Sequence, residues 1–384
     1  MPNANDEVVN ALNARAIPIE RAELGLVEKT LEILAKVQDE LIENLAKLDP
    51  TEVADRYKAQ RIESLLSSTE KSIARLYAEM RDENVDNLVK LAKIEAKNLR
   101  RVYQNAVGVD LLSIEIPAAQ LKALAKDPVV LGGPAQAWWE KQAGDLQHKF
   151  ATEMQIGLAQ GESMGELTRR VKGTREAGYA DGIMSLARRN IEALVRTAAQ
   201  GVLNEARLDL YENNPDVVKG LQWRSTLDLR TSVICAGLDG LTWSLEDKKP
   251  QGHDKSFRRP PAHWRCRSTI IGVLKSFDEL AKKPQLNLGD TRGKVDNVFR
   301  ERLRAQGWSE DKVEKAMMNA RASLDGQVSR STTYEQWLKG RSVEDQKTVL
   351  GVGRWEMWNK GEIKLKDLTT KNLKPLSLDQ LEAL

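Results

Sequence analysis

The 384-residue chain carries 59 basic and 56 acidic side chains that nearly cancel to a formal +3, so no whole-molecule field draws it onto DNA or an anionic bilayer. Hydrophobic residues at 41% and charged residues at 30% describe a globular, water-soluble chain able to bury a sizeable core, and aromatics at 5% are sparse for a sheet-rich protein. Two cysteines argue against a disulfide-dense secreted scaffold, and no basic-then-apolar leader or run of roughly 20 apolar residues points to secretion or a membrane.

The expected architecture is mainly α with a small α+β domain, in a protein that stays in the cytoplasm where it is made. Residues 1–50 read as an N-terminal helical arm. Within it Leu24, Val27, Leu31, Leu34, Leu41, Leu45 and Leu48 alternate steps of three and four, with Gln38 at the one polar seam position. Packing inside the subunit, self-association and binding of another protein would all use such a seam. Asp49-Pro50-Thr51 then stops the helix and offers Thr51 as the next cap, predicting a helical hairpin.

Residues 51–180 read as a helical body. Ile62, Leu65, Leu66, Ile73, Leu76, Tyr77, Met80, Leu88, Leu91, Ile94 and Val102 keep helical spacing amid many charges. Further helices are expected around 120–126, 135–159 and 164–171, separated by Pro117, Gly132-Gly133-Pro134 and Gly161. Trp138 and Trp139 are expected to pack into this body rather than face a partner.

Residues 181–275 change character. A helical stripe of Ile191, Val195, Ala199, Val202, Ala206 and Leu210 ends at Asn213-Asn214-Pro215. Strand signals follow at 221–226 and 265–273, with Asp239-Gly240 between them as a hairpin signal, so a short antiparallel sheet packed on the preceding helix is expected over 221–273. Residues 276–331 read as a helical connector, with Ser309 as a helix cap and a linker at 329–333. Residues 332–384 read as a small helical domain whose miniature core is Trp337, Leu338, Val349, Leu350, Trp355, Met357, Trp358, Ile363, Leu365 and Leu368.

The chemistry concentrates in the sheet region. Cys235, His253, His263 and Cys266 form a C-x17-H-x9-H-x2-C series, a ligand set whose thiolates and imidazoles suit tetrahedral zinc. Plain burial of the cysteines and a Cys235-Cys266 disulfide are the competing readings. Cys235 as a nucleophile with His263 as its base, oriented by Asp228 or Asp239, is chemically conceivable, but no nucleophile elbow or oxyanion-hole sequence accompanies it. Arg258, Arg259, Arg265 and Arg267 gather positive charge around Pro260-Pro261, where they could contact phosphate or pair with acidic groups. No Walker loop, Rossmann fingerprint or HExxH pattern occurs.

The ordered series RRNIEALVRTAAQGVLNEARLDLYENN, VKGLQWRSTLDLRTSVICAGLDGLTW and PPAHWRCRSTI resembles the Mu F-like minor head proteins of tailed phages. The upstream IGLAQGESMGELTRRV is similar to the same family, and the terminal YEQWLKGRSVEDQKTVLGVGRWEMWNKGEIKLKDL resembles a segment of phage head morphogenesis proteins. Asp228, Arg230, Thr231, Cys235, Leu238, Asp239, Gly240, Pro261, His263, Cys266 and Arg267 occupy the family's motif positions. Ser232, Trp264 and Ser268 depart from it, standing where the family often has cysteine, proline and cysteine.

The resemblance implies a low-copy, non-enzymatic component of the virion head interior that acts in prohead assembly near the portal protein and the packaged DNA. Two other functions stay open from the residues: a non-specific DNA-binding protein accompanying the genome, and a Cys/His-based hydrolase or zinc enzyme. Steep salt dependence would mark the former, and loss of turnover in Cys235→Ala the latter.

Overall fold

The computed structural model describes residues 4–47, 55–107, 110–112, 114–276, 279–280, 320–324, 326–329 and 331–383. The helices are α1 (Ala4–Ala14), α2 (Ala16–Ala46), α3 (Asp55–Val107), α4 (Ala118–Lys126), α5 (Ala135–Ala159), α6 (Met164–Lys172), α7 (Ile183–Glu212), α8 (Val233–Leu238), α9 (Tyr334–Lys339), α10 (Val343–Leu350), α11 (Val352–Asn359) and α12 (Leu378–Glu382). The strands are β1 (Val129–Val130), β2 (Gly133–Pro134), β3 (Val218–Arg224), β4 (Thr242–Ser244), β5 (Pro250–Gln251), β6 (Thr269–Leu274), β7 (Ala320–Ser323) and β8 (Gly326–Ser329). The protein is thus mainly α with a small α+β part. Among the described residues, no helix is long and apolar enough to cross a membrane.

Two compact units run across chain order: one gathers the described residues of Glu20–Leu91 and Lys122–Gly201, the other those of Met1–Ile19, Ala92–Leu121 and Val202–Leu384.

In the first unit, the buried row of α2 is Glu23, Val27, Thr30, Leu34, Val37, Leu41 and Leu45. The expected seam holds at Val27, Leu34, Leu41 and Leu45 and moves elsewhere, since Leu24 is 44% exposed and Leu31 half-buried. Glu23 takes the inner position because Gln200 donates to its carboxylate at 2.6 Å and the Arg196 guanidinium lies 3.9 Å away. A buried polar group is tolerable when so partnered. Thr30 similarly returns its hydroxyl to the Leu26 carbonyl at 2.8 Å. Leu48 and the Asp49-Pro50-Thr51 break lie outside the described residues.

The α3 segment up to Leu91 buries Leu65, Ile73, Leu76, Tyr77, Met80 and Leu88, in keeping with its periodicity. Tyr77 meets Trp139 of α5 edge-to-face, with ring centroids 6.4 Å apart. Trp139 is buried, and half-buried Trp138 donates its indole N–H to the Val130 carbonyl at 2.9 Å, so the tryptophan pair anchors the helical body as expected. Ser163 and Glu166 close a capping box on α6, which explains its start after Gly161.

The second unit is built around an antiparallel sheet in the order β5-β4-β3-β6. Strands β3 and β6 pair from Val218↔Leu274 to Arg224↔Thr269, realising the two strand signals. The last turns of α7 lie on β6, where the Asn204 side chain accepts from the Ile270 N–H at 3.0 Å and donates to the Ser268 carbonyl at 3.3 Å. Gly272 allows close approach at this seam, since a Cβ there would come within 2.8 Å of the Tyr211 ring. Tyr103 of α3 donates its hydroxyl to the Gly272 carbonyl at 2.8 Å.

The Asp239-Gly240 hairpin expectation is corrected. Residues 233–238 form the helix α8, capped by the Ser232 hydroxyl accepting from the Cys235 N–H, and Asp239-Gly240 links this helix to β4. Gly240 turns the chain at φ +83 and donates its N–H to the Trp223 carbonyl at 2.9 Å.

From Ala92, the inner face of α3 runs Ala92, Glu95, Leu99, Tyr103 and Ala106, while Ile94 is 56% exposed. Glu95 displaces Ile94 from the core because two guanidiniums meet it: Arg207 of α7 at 2.7 Å and Arg15 at 2.5 Å. Burial alone would raise the Glu95 carboxyl pKa, but the charges of Arg207 and Arg15 outweigh it and hold it below the ordinary value.

At the C-terminus, Tyr334, Trp337, Leu338, Leu350, Trp358, Ile363, Leu365 and Leu368 are buried together, with Val349, Trp355 and Met357 against them. The same cluster takes in Leu227 and Ala236 of the sheet region. The stretch 329–333, expected as a linker, joins β8 to α9. Ser329 closes β8, and Thr333 caps α9 in a capping box with Gln336. Most of the 276–331 stretch, including Ser309, lies outside the described residues, and its end forms the β7-β8 hairpin.

Candidate functional site

The site grows from two backbone devices. Ser232 starts α8 and sets Cys235 in its first turn. The Cys266 N–H donates to the His263 carbonyl at 3.2 Å, and Arg265 adopts a left-handed φ of +57, so the His263-to-Cys266 segment curls into a tight turn. The peptide before Pro261 is cis. The cap and the turn bring Cys235, His263 and Cys266 into one cluster, with ligand-capable atoms all within 4.8 Å of one another.

Cys235 Sγ lies 3.1 Å from His263 Nε2 and 3.7 Å from Cys266 Sγ, and both cysteines are free and buried. Trp223, Trp243, Leu238, Ala262 and Leu373 surround the sulfurs as an apolar shell. His263 is half-buried and its Nδ1 faces the Trp264 carbonyl at 2.9 Å. That carbonyl can only accept, so Nδ1 carries the proton and, in neutral imidazole, Nε2 turns its lone pair to the sulfurs.

Hydrogen bonding to Cys266 and burial push the Cys235 thiol up, whereas the hydrogen bond from Cys235 and the protonated form of His263 pull Cys266 down. The two thiols titrate as a pair, the first proton leaving below the ordinary thiol range and the second well above it. Burial lowers His263, but its hydrogen bond to Cys266 and that thiol's charge prevail and raise it.

His253, the fourth residue of the expected ligand set, stands apart. Its Nε2–H donates to the Thr242 carbonyl at 2.8 Å and its Nδ1 accepts the Lys255 N–H at 3.1 Å, so both ring nitrogens serve the β4-β5 edge. Its ring also lies edge-on to Trp243, 4.9 Å between centroids.

The carboxylates proposed to orient a catalytic His263 are committed elsewhere. Asp228 accepts from Arg267 at 2.8 Å and from the Arg230 N–H at 3.1 Å, and its carbonyl accepts the Tyr334 hydroxyl at 2.8 Å. Burial raises the Asp228 carboxyl, but the Arg267 hydrogen bonds and charge outweigh it and leave it below the usual value. Asp239 accepts from the Ser225 N–H at 2.7 Å and the Tyr334 N–H at 2.8 Å. Thr231 donates to the Thr226 carbonyl at 2.6 Å, tightening the loop before α8. Asp228, Arg230, Thr231, Asp239, Gly240 and Arg267 thus sit in one framework that joins the sheet, α8 and α9.

Of the four arginines read as phosphate contacts, Arg267 is held by Asp228 and Arg259 pairs with Glu205, whereas Arg258 and Arg265 are exposed. Two features escaped sequence reasoning. Lys255 is buried, with its ammonium donating to the Thr369 carbonyl at 2.6 Å. In the first unit, a cleft of ≈ 510 Å³ is lined by charged residues including Glu153, Glu162, Arg170 and Asp181. Arg170 bridges Glu153 and Glu162 there at 2.6 Å each.

Fold and site define a helix-rich protein carrying a small α+β module knit by a carboxylate-arginine framework around a thiol-imidazole cluster. Residues 148–271 match the family model described as phage Mu protein F like protein, so this stretch of the chain is similar to that family. No curated protein and no solved structure matches it.

Proposed function

We propose that the chain is a minor head protein of a tailed bacteriophage, acting as a structural adaptor in prohead assembly near the portal and the packaged DNA. The observation that carries this reading is the Mu F-like match over residues 148–271, a family of structural head proteins. The work done is binding rather than turnover. In this reading the protein assembles in the host cytoplasm and ends in the head interior, with the portal and other head proteins as partners.

Two features of the chain support an adaptor. Asp228, Asp239 and Arg267 spend their charges on holding α8, β3 and α9 together, as expected of a rigid presenting module. On α2, Leu24 is exposed and Leu31 half-buried, which leaves part of the leucine seam open to a head protein or a second copy. Co-expression of the untagged chain with its own phage's portal, followed by size exclusion and mass determination, tests the reading. A stoichiometric complex supports it, and a chain that elutes alone beside intact portal rings sinks it.

A further inference from the structure

We propose that Cys235, His263 and Cys266 bind one zinc ion, with both sulfurs and His263 Nε2 as ligands and without His253. The proposal begins from spacing. Around a tetrahedral zinc, sulfurs at about 2.3 Å and an imidazole nitrogen at about 2.0 Å from the metal stand about 3.8 Å (sulfur to sulfur) and about 3.5 Å (sulfur to nitrogen) apart. The observed 3.7 Å between the sulfurs meets the first separation, and the 3.1 Å from Cys235 Sγ to His263 Nε2 needs only a small retreat of the ring to meet the second.

The histidine is already oriented for this work. A metal-binding imidazole commonly donates its other N–H to a carbonyl or carboxylate, which fixes tautomer and ring plane. His263 Nδ1 is placed on the Trp264 carbonyl in this way, and Nε2 is left facing the thiols. His253 has the opposite disposition, with both nitrogens spent on backbone groups.

Charge argues the same way. Two buried thiolates would be costly alone, whereas a divalent ion with two thiolates and a neutral imidazole sums to zero. Zinc binding displaces the two thiol protons to solvent. A borderline-soft ion is the appropriate class for two sulfurs and a nitrogen, and hard cations such as magnesium or calcium are not. Beside Cys235 and His263 a space of ≈ 10 Å³ opens between Thr231, Ser232 and Arg267, about the room a single water needs as fourth ligand. The ion would staple α8 to the 263–266 turn.

The test uses the full chain, purified without a polyhistidine tag from zinc-supplemented medium. Elemental analysis is expected to give one zinc per chain, and cobalt(II) replacing it is expected to show thiolate-to-metal charge-transfer absorption. Both signals should persist in His253→Ala, and cobalt affinity should fall at least tenfold in Cys266→Ser and in His263→Gln. Bound zinc should also shield both thiols from alkylation until a chelator removes it. A wild-type chain that holds no zinc and gives cobalt no charge-transfer band overturns the proposal, whatever the variants do. A cobalt spectrum lost in His253→Ala but kept in a folded His263→Gln overturns the ligand assignment.

Discussion

Glu95 and Cys235 are both sealed from solvent in the same compact unit, yet their surroundings solve the problem of burial in different ways. Glu95 is met by Arg207 and Arg15, so its charge is balanced by groups the chain itself supplies. Cys235 meets another thiol and an imidazole inside an apolar shell, a donor-rich arrangement whose neighbouring Arg267 guanidinium is already held by Asp228. The first is an ion network that fastens α3 to α7; the second has the donor set of the proposed zinc site. The contrast teaches that burial of polar groups does not by itself distinguish a structural fastening from a binding site. The balance of charge around them does.

The largest effect should come from breaking the ion network. Glu95→Ala leaves the Arg207 guanidinium buried without its carboxylate and is expected to cost about 3–5 kcal/mol in urea unfolding. A loss under about 1 kcal/mol would mean that water reaches Arg207 and that the network is not closed. Next comes Asp228→Ala, which strips Arg267 and the loop before α8 of a charged acceptor, with an expected loss of about 2 kcal/mol.

The pH dependence follows from the same two carboxylates. Both are held below their ordinary pKa values when folded, so the unfolded chain binds more protons through the acid range. Their contribution is complete above the ordinary carboxylate range and is lost as pH falls through the depressed folded values. Melting temperature should therefore drop on acidification, with a shallower drop in Glu95→Gln. Equal slopes in the two proteins would remove Glu95 from this account of acid sensitivity.

Smaller still, Tyr334→Phe deletes the hydroxyl donated to the Asp228 carbonyl and should cost about 1 kcal/mol while leaving the helices intact by circular dichroism. The smallest effect belongs to the exposed arginine. Arg258→Ala should change stability by no more than about 0.5 kcal/mol. If the arginine cluster does touch phosphate, the same variant would flatten the salt dependence of DNA binding, and an unaltered slope would exclude Arg258 from such contacts.

Helix and strand stripes were legible because burial follows short periods: Val27, Leu34 and Leu41 on α2, and β3 and β6 by their β-branched and aromatic content. The H-x2-C step was legible for a similar reason, since a tight turn joins residues close in sequence. Glu95 was not, because a glutamate on a charged helix reads as solvent-facing until its partner, 112 positions later, is in place. His253 misled in the opposite direction. Its spacing suited a ligand, while its actual partners are backbone groups of Thr242 and Lys255, and backbone groups leave no mark in a sequence. The Asp239-Gly240 pair signalled a turn correctly but not what it joins, because Ser232 starts a helix where a strand was expected.

The proposed head-assembly role is tested most directly by quantitative mass spectrometry of proheads purified from infected cells. The chain should co-purify with them in a fixed ratio to portal subunits. Proheads of normal portal content from which the chain is missing, while it remains free in the lysate, would contradict a structural place in the head.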